Sequence, residues 1–323
     1  YLYWGSCLNR SQLKRTLSYT SNSEVMRRIA TITLVTALIF IGIQIIAQFP
    51  HQKSLDFCFE SDFQSIETTD KEYSIVLGNS RSLDAIHSPS LSEFFEQQTM
   101  HLGYSSSDLI TAELTLQFAL KRNPKLKRVF IEISPFHFDS RRVHSHGIRH
   151  YFFQKEPILL LNHGESWTDF STLFPRSSTI PQLKSYFSNA TAPKSDFSKR
   201  WSCNELGFKR ETKNWNENFK DRKLRFEEPQ KRALLQIFET CDEKNISPVI
   251  IFCPTDTMFQ SFLFNYFDYK AVVLSIVGNK RQVIDLDDGT YQAYLKNPDH
   301  IACPQAFTQG VIIPAIVEME QQN

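Results

Sequence analysis

Two kinds of hydrophobic pattern alternate along most of this chain. Short apolar runs typical of buried strands stand at Tyr73–Leu77, 128–133, 248–253 and 282–286. Apolar residues recur at helical spacing over 107–121, 229–244, 266–277 and 305–319, and we expect Pro314 to interrupt the last helix. Strands separated by helices predict an α/β fold with a mainly parallel sheet and helices on both faces, a three-layer α/β/α domain. Ser105, Ser106 and Ser107 are the candidate caps of the helix over 107–121.

Residues 136–228 interrupt this alternation. They are rich in aromatic, serine, arginine and lysine residues and show little periodicity. Such an insertion is either a lid or substrate-binding excursion over the sheet edge or a helical elaboration without a direct role, and the sequence leaves both interpretations open. His137, His144, His146 and His150 lie in it without the spacing of a zinc motif, so no metal site is predicted.

An uncharged apolar stretch near the start, residues 29–49, is long enough to cross a membrane as a helix. Arg27 and Arg28 come immediately before it, whereas Lys53 is the only nearby base after it. Because lysine and arginine are enriched on the cytoplasmic side, this asymmetry predicts a cytoplasmic N-terminus and a C-terminal part outside the cytoplasm.

The predicted layout is therefore a cytoplasmic tail at 1–28, a transmembrane anchor at 29–49 and one extracytoplasmic domain at 50–323 that includes the insertion. A buried helix of a soluble protein and a cleaved signal peptide are the alternatives. Residues 44–50 contain no clear small-x-small cleavage pattern, which favours an uncleaved anchor.

Composition narrows the functional classes. With 323 residues, of which 41% are hydrophobic, the chain can bury one sizeable core. A net charge of +1 and the absence of basic runs with interleaved aromatics exclude a nucleic-acid-binding signature. The six cysteines form no C-x-x-C pair; Cys58 and Cys203 stand in polar surroundings suited to a disulfide outside the cytoplasm, and Cys253 is predicted to be a core residue.

The strand Tyr73–Leu77 ends abruptly in Gly78-Asn79-Ser80-Arg81. A serine at a strand end, beside a glycine that permits a tight turn, is where hydrolases and transferases place a nucleophilic hydroxyl. The alternative for Ser80 is a helix N-cap, a common position for serine.

A histidine near the C-terminus supplies a candidate base. His300 closes the segment Asn297-Pro298-Asp299-His300, and a serine early with a histidine late is one chain order that can close a nucleophile and base pair. The alternative for His300 is a loop histidine without a catalytic role.

Four segments together carry a family resemblance: residues 78–81, His101-Leu-Gly103-Tyr-Ser-Ser, the strand Val129-Phe-Ile-Glu-Ile-Ser-Pro135, and residues 297–300. In order and spacing they resemble the SGNH (GDSL-like) hydrolase superfamily. They are most similar to its membrane-anchored bacterial members, a group that includes relatives of the D-alanyl-lipoteichoic acid transfer protein and of alginate O-acetyltransferases. The resemblance covers about residues 70–135 and 229–320.

The resemblance implies a role for each matching residue. Ser80 would be the nucleophile and donate one oxyanion N–H, Gly103 would donate a second, and His300 would be the general base. The family's third-block asparagine is absent, since Ser134-Pro-Phe-His137 stands there. The position of the family's orienting aspartate holds Asn297, and an amide cannot stabilise an imidazolium as a carboxylate does. Asp299 adjoins His300, but neighbouring loop side chains seldom face each other.

The sequence thus predicts a membrane-anchored, extracytoplasmic SGNH-like esterase or O-acyltransferase of a bacterial cytoplasmic membrane, acting on an envelope glycan or polymer. This chemistry needs neither a metal nor an organic cofactor. The alternatives are a catalytically degenerate domain that binds an envelope polymer or a partner of an acylation or export assembly, and a purely structural envelope protein.

Overall fold

The computed structural model describes residues 27, 30–36, 62–104, 107–139, 223–278 and 281–321. Residues 30–36 are helical, and the remainder of the predicted anchor lies outside the described residues, as does nearly all of the predicted tail. Within the described ranges, no helix has both the length and the apolar character that a membrane span requires.

The centre of the fold is a five-stranded sheet in which every neighbouring pair is parallel. Its strands are β1 (Tyr73–Leu77), β2 (Gln98–His101), β3 (Leu126–Glu132), β4 (Ser247–Phe252) and β5 (Gln282–Asp285), in the order β2-β1-β3-β4-β5. This strand order is common in doubly wound α/β sheets. The chain adds β2 on one side of β1 and then adds β3, β4 and β5 on the other side, so the order of addition reverses between β1 and β3. Four strands match the sequence prediction within one or two residues. The sequence missed β2, a short edge strand with polar residues at both ends.

Nine helices surround the sheet in the described part of the chain. They are α1 (62–68), α2 (Ser80–Ala85), α3 (Ser88–Phe95), α4 (Leu109–Arg122), α5 (Glu228–Glu243), α6 (Thr257–Phe262), α7 (Asp268–Val277), α8 (Pro304–Phe307) and α9 (Ile313–Gln321). A two-stranded antiparallel hairpin, β6 (Leu295–Asn297) and β7 (His300–Ile301), precedes α8.

One helix cap differs from the prediction, and the predicted interruption of the last helix takes a specific form. The N-cap of α4 is Asp108, whose Oδ1 accepts the Thr111 N–H at 2.8 Å, so none of the preceding serines caps it. The last predicted helix is interrupted by a π-helical turn at Thr308–Ile312. Pro314 has no N–H to donate to the Gly310 carbonyl, which favours a widened turn at this point.

The core divides into two clusters, one on each face of the sheet. Ile75 and Leu77 of β1 face the cluster that includes α1, α4, α5 and α7. Val76, between them, faces the cluster that includes α3 and the C-terminal helices. Because strand side chains alternate in direction, each buried strand contributes to both clusters. The result is the predicted sheet with a helical layer on each face.

The two ends of the insertion meet beside the carboxyl end of β3. After β3, the 3₁₀ turn Pro135–Phe138 leads outward, and the Glu227 N–H donates to the Phe138 carbonyl at 3.2 Å. The rings of Phe138 and Phe226 pack edge to face with centroids 5.8 Å apart. Residues 140–222 lie outside the described residues, including three of the four histidines considered above.

The described cysteines fall into two classes. Cys241 and Cys253 are free and buried, and burial raises the pKa of the Cys241 thiol to about 12 and that of Cys253 well above its ordinary value. The prediction that Cys253 is a core residue is confirmed. Cys303 is disulfide-bonded, although it was not among the predicted pairing candidates, and those candidates, Cys58 and Cys203, lie outside the described residues.

Candidate functional site

The turn after β1 positions Ser80 at the carboxyl end of the sheet, where α/β proteins bind ligands. Gly78 has φ +149°, and a Cβ there would lie 2.7 Å from the Ser82 Cβ, so only glycine fits. Asn79 is the N-cap of α2, since its Oδ1 accepts the Arg81 N–H at 2.9 Å. Ser80 is therefore the first helical residue and not the cap, which leaves its hydroxyl available for other contacts.

The hairpin β6–β7 brings the predicted base to this hydroxyl. His300 Nε2 lies 3.0 Å from Ser80 Oγ, although the two residues are 220 positions apart in the sequence. Both residues are partly exposed. The distance is that of an O–H···N hydrogen bond between a nucleophile and its base.

The opposite nitrogen of His300 faces two oxygen atoms. Asn297 Oδ1 lies 3.0 Å from Nδ1, and Asp299 Oδ1 lies 2.7 Å from the same nitrogen. With the serine hydroxyl donating to Nε2, the neutral ring carries its proton on Nδ1 and donates it to Asn297 Oδ1, while Asp299 Oδ1 lies 2.7 Å from the same nitrogen. The contact between Asp299 and His300, which the sequence left open as the less favoured arrangement, is therefore present.

A local turn explains this arrangement. Asn297 Oδ1 accepts the backbone N–H groups of Asp299 at 3.1 Å and of His300 at 3.0 Å, which closes a tight Asx-type turn. The Asp256 N–H donates to the Pro298 carbonyl at 2.7 Å and fixes the turn to the loop after β4. Within this turn the Asp299 side chain folds back against the imidazole, where it is 8% exposed.

Gly103, the second oxyanion donor expected from the family resemblance, lies directly against the turn that carries Ser80. A Cβ on Gly103 would lie 2.3 Å from Ser82 Oγ and 3.2 Å from the Gly78 carbonyl oxygen. The Gly103 N–H, however, donates to His101 Nδ1 at 3.2 Å. To bind an oxyanion, this N–H has to exchange the histidine nitrogen for the substrate oxygen.

Ser134 follows β3 at the position where the resemblance expects an asparagine, and its hydroxyl contacts the turn that carries Ser80. Asn79 Nδ2 donates to Ser134 Oγ at 3.1 Å, and the Asn79 backbone N–H donates to Glu132 Oε2 at 3.4 Å. The Ser134 N–H donates to His137 Nδ1 at 3.0 Å, and burial lowers the pKa of His137. This histidine therefore belongs to a buried network behind the turn that carries Ser80. The described residues contain no group of three or more metal-ligating side chains.

Arg81, directly after Ser80, is 1% exposed and links separate strand ends. Its Nη2 donates to the Pro254 carbonyl at 3.1 Å and to Thr255 Oγ1 at 2.8 Å, while its Nε lies 3.8 Å from Glu132 Oε1. Burial lowers the pKa of the guanidinium, but the surrounding acidic groups raise it by more, so the net shift is upward. The sequence quoted Arg81 only as part of a motif.

Asp287, after β5, lies in the same buried region and was not selected by the sequence. Its carboxylate accepts four hydrogen bonds, from the Thr255 N–H at 2.8 Å, Gln260 Nε2 at 3.0 Å, and the hydroxyls of Tyr266 at 2.7 Å and Tyr269 at 2.9 Å. Burial raises the pKa of Asp287, while Arg81 and the tyrosine hydroxyls oppose that shift. Asp287 therefore braces the loop after β4 and is too deeply buried to meet a substrate.

A second carboxylate stands beside the serine and histidine pair. Asp84 Oδ2 lies 4.0 Å from His300 Nε2 and 2.9 Å from Lys296 Nζ. Both side chains are partly exposed, so this ion pair lies at the accessible edge of the site.

Neither protein-family models nor curated protein sequences match this chain. Among solved structures, the chain is similar to one described as "a putative platelet activating factor from Streptococcus pneumonia", at 10% identity and a TM-score of 0.39. The similarity covers 87% of this chain and 99% of that one.

Proposed function

We propose that this protein is a serine esterase or O-acyltransferase in which Ser80 is the nucleophile and His300 is the general base. The observation that carries the proposal is the 3.0 Å contact between His300 Nε2 and Ser80 Oγ, with Asn297 and Asp299 oxygens against Nδ1 on the other side of the ring. A nucleophile, a base and a group that orients the base in one line is the arrangement that activates a serine hydroxyl.

The reaction proceeds in two halves. Ser80 Oγ attacks an ester carbonyl as its proton passes to His300 Nε2, and the imidazolium then protonates the departing alkoxide. The Asp299 carboxylate stabilises the imidazolium, a task for which the neutral Asn297 amide is poorly suited. Water or an acceptor hydroxyl then releases the acyl group from Ser80 by the reverse sequence of proton transfers.

The backbone N–H groups of Ser80 and Gly103 are the proposed oxyanion donors. Ser80 is at the first turn of α2, where backbone N–H groups have no intrahelical partner. Removing one such donor in other serine enzymes costs about 3 kcal/mol in the transition state. The Gly103 donor becomes available only when the oxyanion displaces His101 Nδ1.

The SGNH resemblance extends the proposal to an extracytoplasmic enzyme, anchored by residues 29–49, that acts on an envelope glycan or polymer. The disulfide-bonded Cys303 supports a location outside the cytoplasm, because structural disulfides persist in oxidising compartments. The proposed chemistry needs neither a metal nor an organic cofactor.

A binding domain that has lost catalysis is the second candidate. It is favoured by Asn297 at the position of the family's aspartate and by the Gly103 N–H that is bonded to His101. In that case the chain would bind an envelope polymer or a partner of an acylation or export assembly without forming an acyl-enzyme.

Labelling with a serine-reactive fluorophosphonate, followed by intact-mass measurement of the full chain, separates the two candidates. We expect one adduct on the wild type and none on Ser80→Ala or His300→Ala. Ser275→Ala is the control, because Ser275 is exposed and its hydroxyl donates to the Val272 carbonyl, so this variant should be labelled like the wild type. No adduct on the folded wild type would favour the binding domain.

A further inference from the structure

Asp84 and Ser80 lie on the same side of α2, since they are four residues apart in one helix. The hairpin packs across this side, so that His300 reaches Ser80 and Lys296 reaches Asp84. The Lys296 ammonium, 2.9 Å from Asp84 Oδ2, holds the carboxylate in its position beside the imidazole. The catalytic roles proposed above use neither Asp84 nor Lys296.

The separation between Asp84 and His300 suggests what lies between them during the reaction. The 4.0 Å from Asp84 Oδ2 to His300 Nε2 is too long for a direct hydrogen bond. A single oxygen atom at about 2.8 Å from each of the two atoms fits this separation. That oxygen would be beside Nε2, which is where the second nucleophile must stand when His300 removes its proton.

Water fits this position better than an alcohol. An attacking water has two protons, so that one can pass to His300 Nε2 while the other is donated to Asp84 Oδ2. A lone alcohol hydroxyl has one proton, and if it donates that proton to Nε2 its oxygen is left against the Asp84 carboxylate with repulsion instead of a hydrogen bond. The two acceptors, His300 Nε2 and Asp84 Oδ2, therefore favour water over an alcohol as the second nucleophile.

We propose that Asp84 is a positioning residue that holds the attacking water against His300, and that this site is built for hydrolysis rather than for transfer to a simple alcohol. The inference rests on the proposed function. In the step, the water oxygen bonds to the acyl carbon while one proton moves to Nε2. The bond from the acyl carbon to Ser80 Oγ then breaks, Oγ recovers that proton from Nε2, and the carboxylic acid product leaves with the second proton.

The test measures how the acyl-enzyme divides between water and an alcohol. The full chain is incubated with p-nitrophenyl acetate in aqueous methanol, and acetate and methyl acetate are quantified for the wild type, Asp84→Asn and Asp84→Ala. We expect the ratio of methyl acetate to acetate to rise by about 10-fold or more in Asp84→Ala and less in Asp84→Asn, since a hydrogen bond to a charged group is lost. Release of p-nitrophenol in a single turnover measures acylation separately, and the ratio of the two products does not depend on the rate of that step.

Controls and contrary outcomes distinguish this inference from the function on which it rests. Asp268→Asn removes an exposed carboxylate from the start of α7 and should leave the ratio unchanged. An unchanged ratio in both Asp84 variants, with turnover that still requires Ser80, would overturn the role of Asp84 and leave the esterase intact. A wild type without Ser80-dependent turnover would overturn both proposals.

Discussion

At the scale of single residues, the orientation of His300 depends on two nearby residues that make different contacts. Asn297 Oδ1 closes the turn by accepting two backbone N–H groups, and it also accepts from Nδ1. Asp299 contributes the negative charge, at 2.7 Å from the same nitrogen. The amide therefore shapes the loop, while in the proposed reaction the carboxylate provides the electrostatic stabilisation that an amide cannot.

This division predicts the outcome of an exchange of side chains. Asp299→Asn should lower the Ser80-dependent esterase rate by up to about 10⁴-fold, because the imidazolium loses its anionic partner. Adding Asn297→Asp should restore much of the rate, since it returns a carboxylate to Nδ1 and keeps the oxygen that closes the turn. The measurement is kcat with p-nitrophenyl acetate.

Asp288→Asn is the matched control for this exchange, because Asp288 is exposed and its Oδ1 accepts the Thr290 N–H in another loop. Its rate should equal that of the wild type. If Asp299→Asn were as active as this control, Asp299 would have no part in the charge stabilisation.

At the scale of elements, the loop after β2 and the turn after β1 are in tight contact. The Tyr104 N–H donates to the Gly78 carbonyl at 3.1 Å, and Gly103 leaves no space for a side chain between itself and Ser82. The loop after the edge strand β2 therefore fixes the position of the turn that carries Ser80.

Gly103→Ala should displace this turn. Its Cβ would lie 2.3 Å from Ser82 Oγ and 2.7 Å from His101 Cε1, so we expect a loss of about 1–3 kcal/mol in the free energy of unfolding and slower fluorophosphonate labelling. Adding Ser82→Ala removes the nearest of these atoms and should recover part of the labelling rate. Urea unfolding and timed intact-mass measurements give the two quantities.

Gly310→Ala is the appropriate comparison, because its Cβ would meet only the Tyr294 hydroxyl, at 3.9 Å. We expect stability and labelling close to those of the wild type. Equal behaviour of the two alanine variants would show that the contact at Gly103 does not hold the turn in place.

At the scale of the whole molecule, buried charges tie together the carboxyl ends of four strands. Arg81 follows β1, Glu132 ends β3, Thr255 follows β4 and Asp287 follows β5. Arg81 bonds to the β4 loop and lies near Glu132, while Asp287 bonds to Thr255. The charged groups thus fix the strand ends around the candidate site, where helices alone would leave the loops less constrained.

Removing the Arg81 guanidinium should show how much this cluster contributes to the free energy of unfolding. Arg81→Met should lower the free energy of unfolding by about 3–5 kcal/mol, because it removes the cation 3.8 Å from the buried Glu132 carboxylate. Combining it with Glu132→Gln should cost less than the sum of the two single changes, since one uncompensated charge is removed. Urea unfolding of the full chain measures each value.

Lys127→Met gives the reference for an exposed ion pair, since Lys127 Nζ lies 3.2 Å from Glu72 Oε1 with both side chains at least half exposed. Its cost should stay within about 0.5 kcal/mol. A loss of the same small size in Arg81→Met would show that the buried cluster does not stabilise the fold.

The sequence by itself determined the alternation of strands and helices, and it singled out Ser80 and His300 as candidates whose pairing rested on chain order and on the family resemblance. Both were available because they depend on local patterns: period-two and helical spacing, a strand that ends in a glycine turn, and a histidine after an Asn-Pro-Asp segment. Element ends were less accurate, as the Asp108 cap shows, and the predicted interruption near Pro314 takes a π-helical form that the sequence did not specify. The ends of helices depend on which nearby side chain caps the first turn and on where a proline removes a backbone N–H.

Only the tertiary structure decided how Asp299, Asp84 and Arg81 are used. Each acts through contacts that local patterns do not encode: Asp299 through a turn fixed to the loop after β4, Asp84 through a hairpin more than 200 positions away, and Arg81 through the ends of other strands. The order β2-β1-β3-β4-β5 sets these distances. Sequence spacing carries no direct record of that order, since it arises from the packing of the whole sheet.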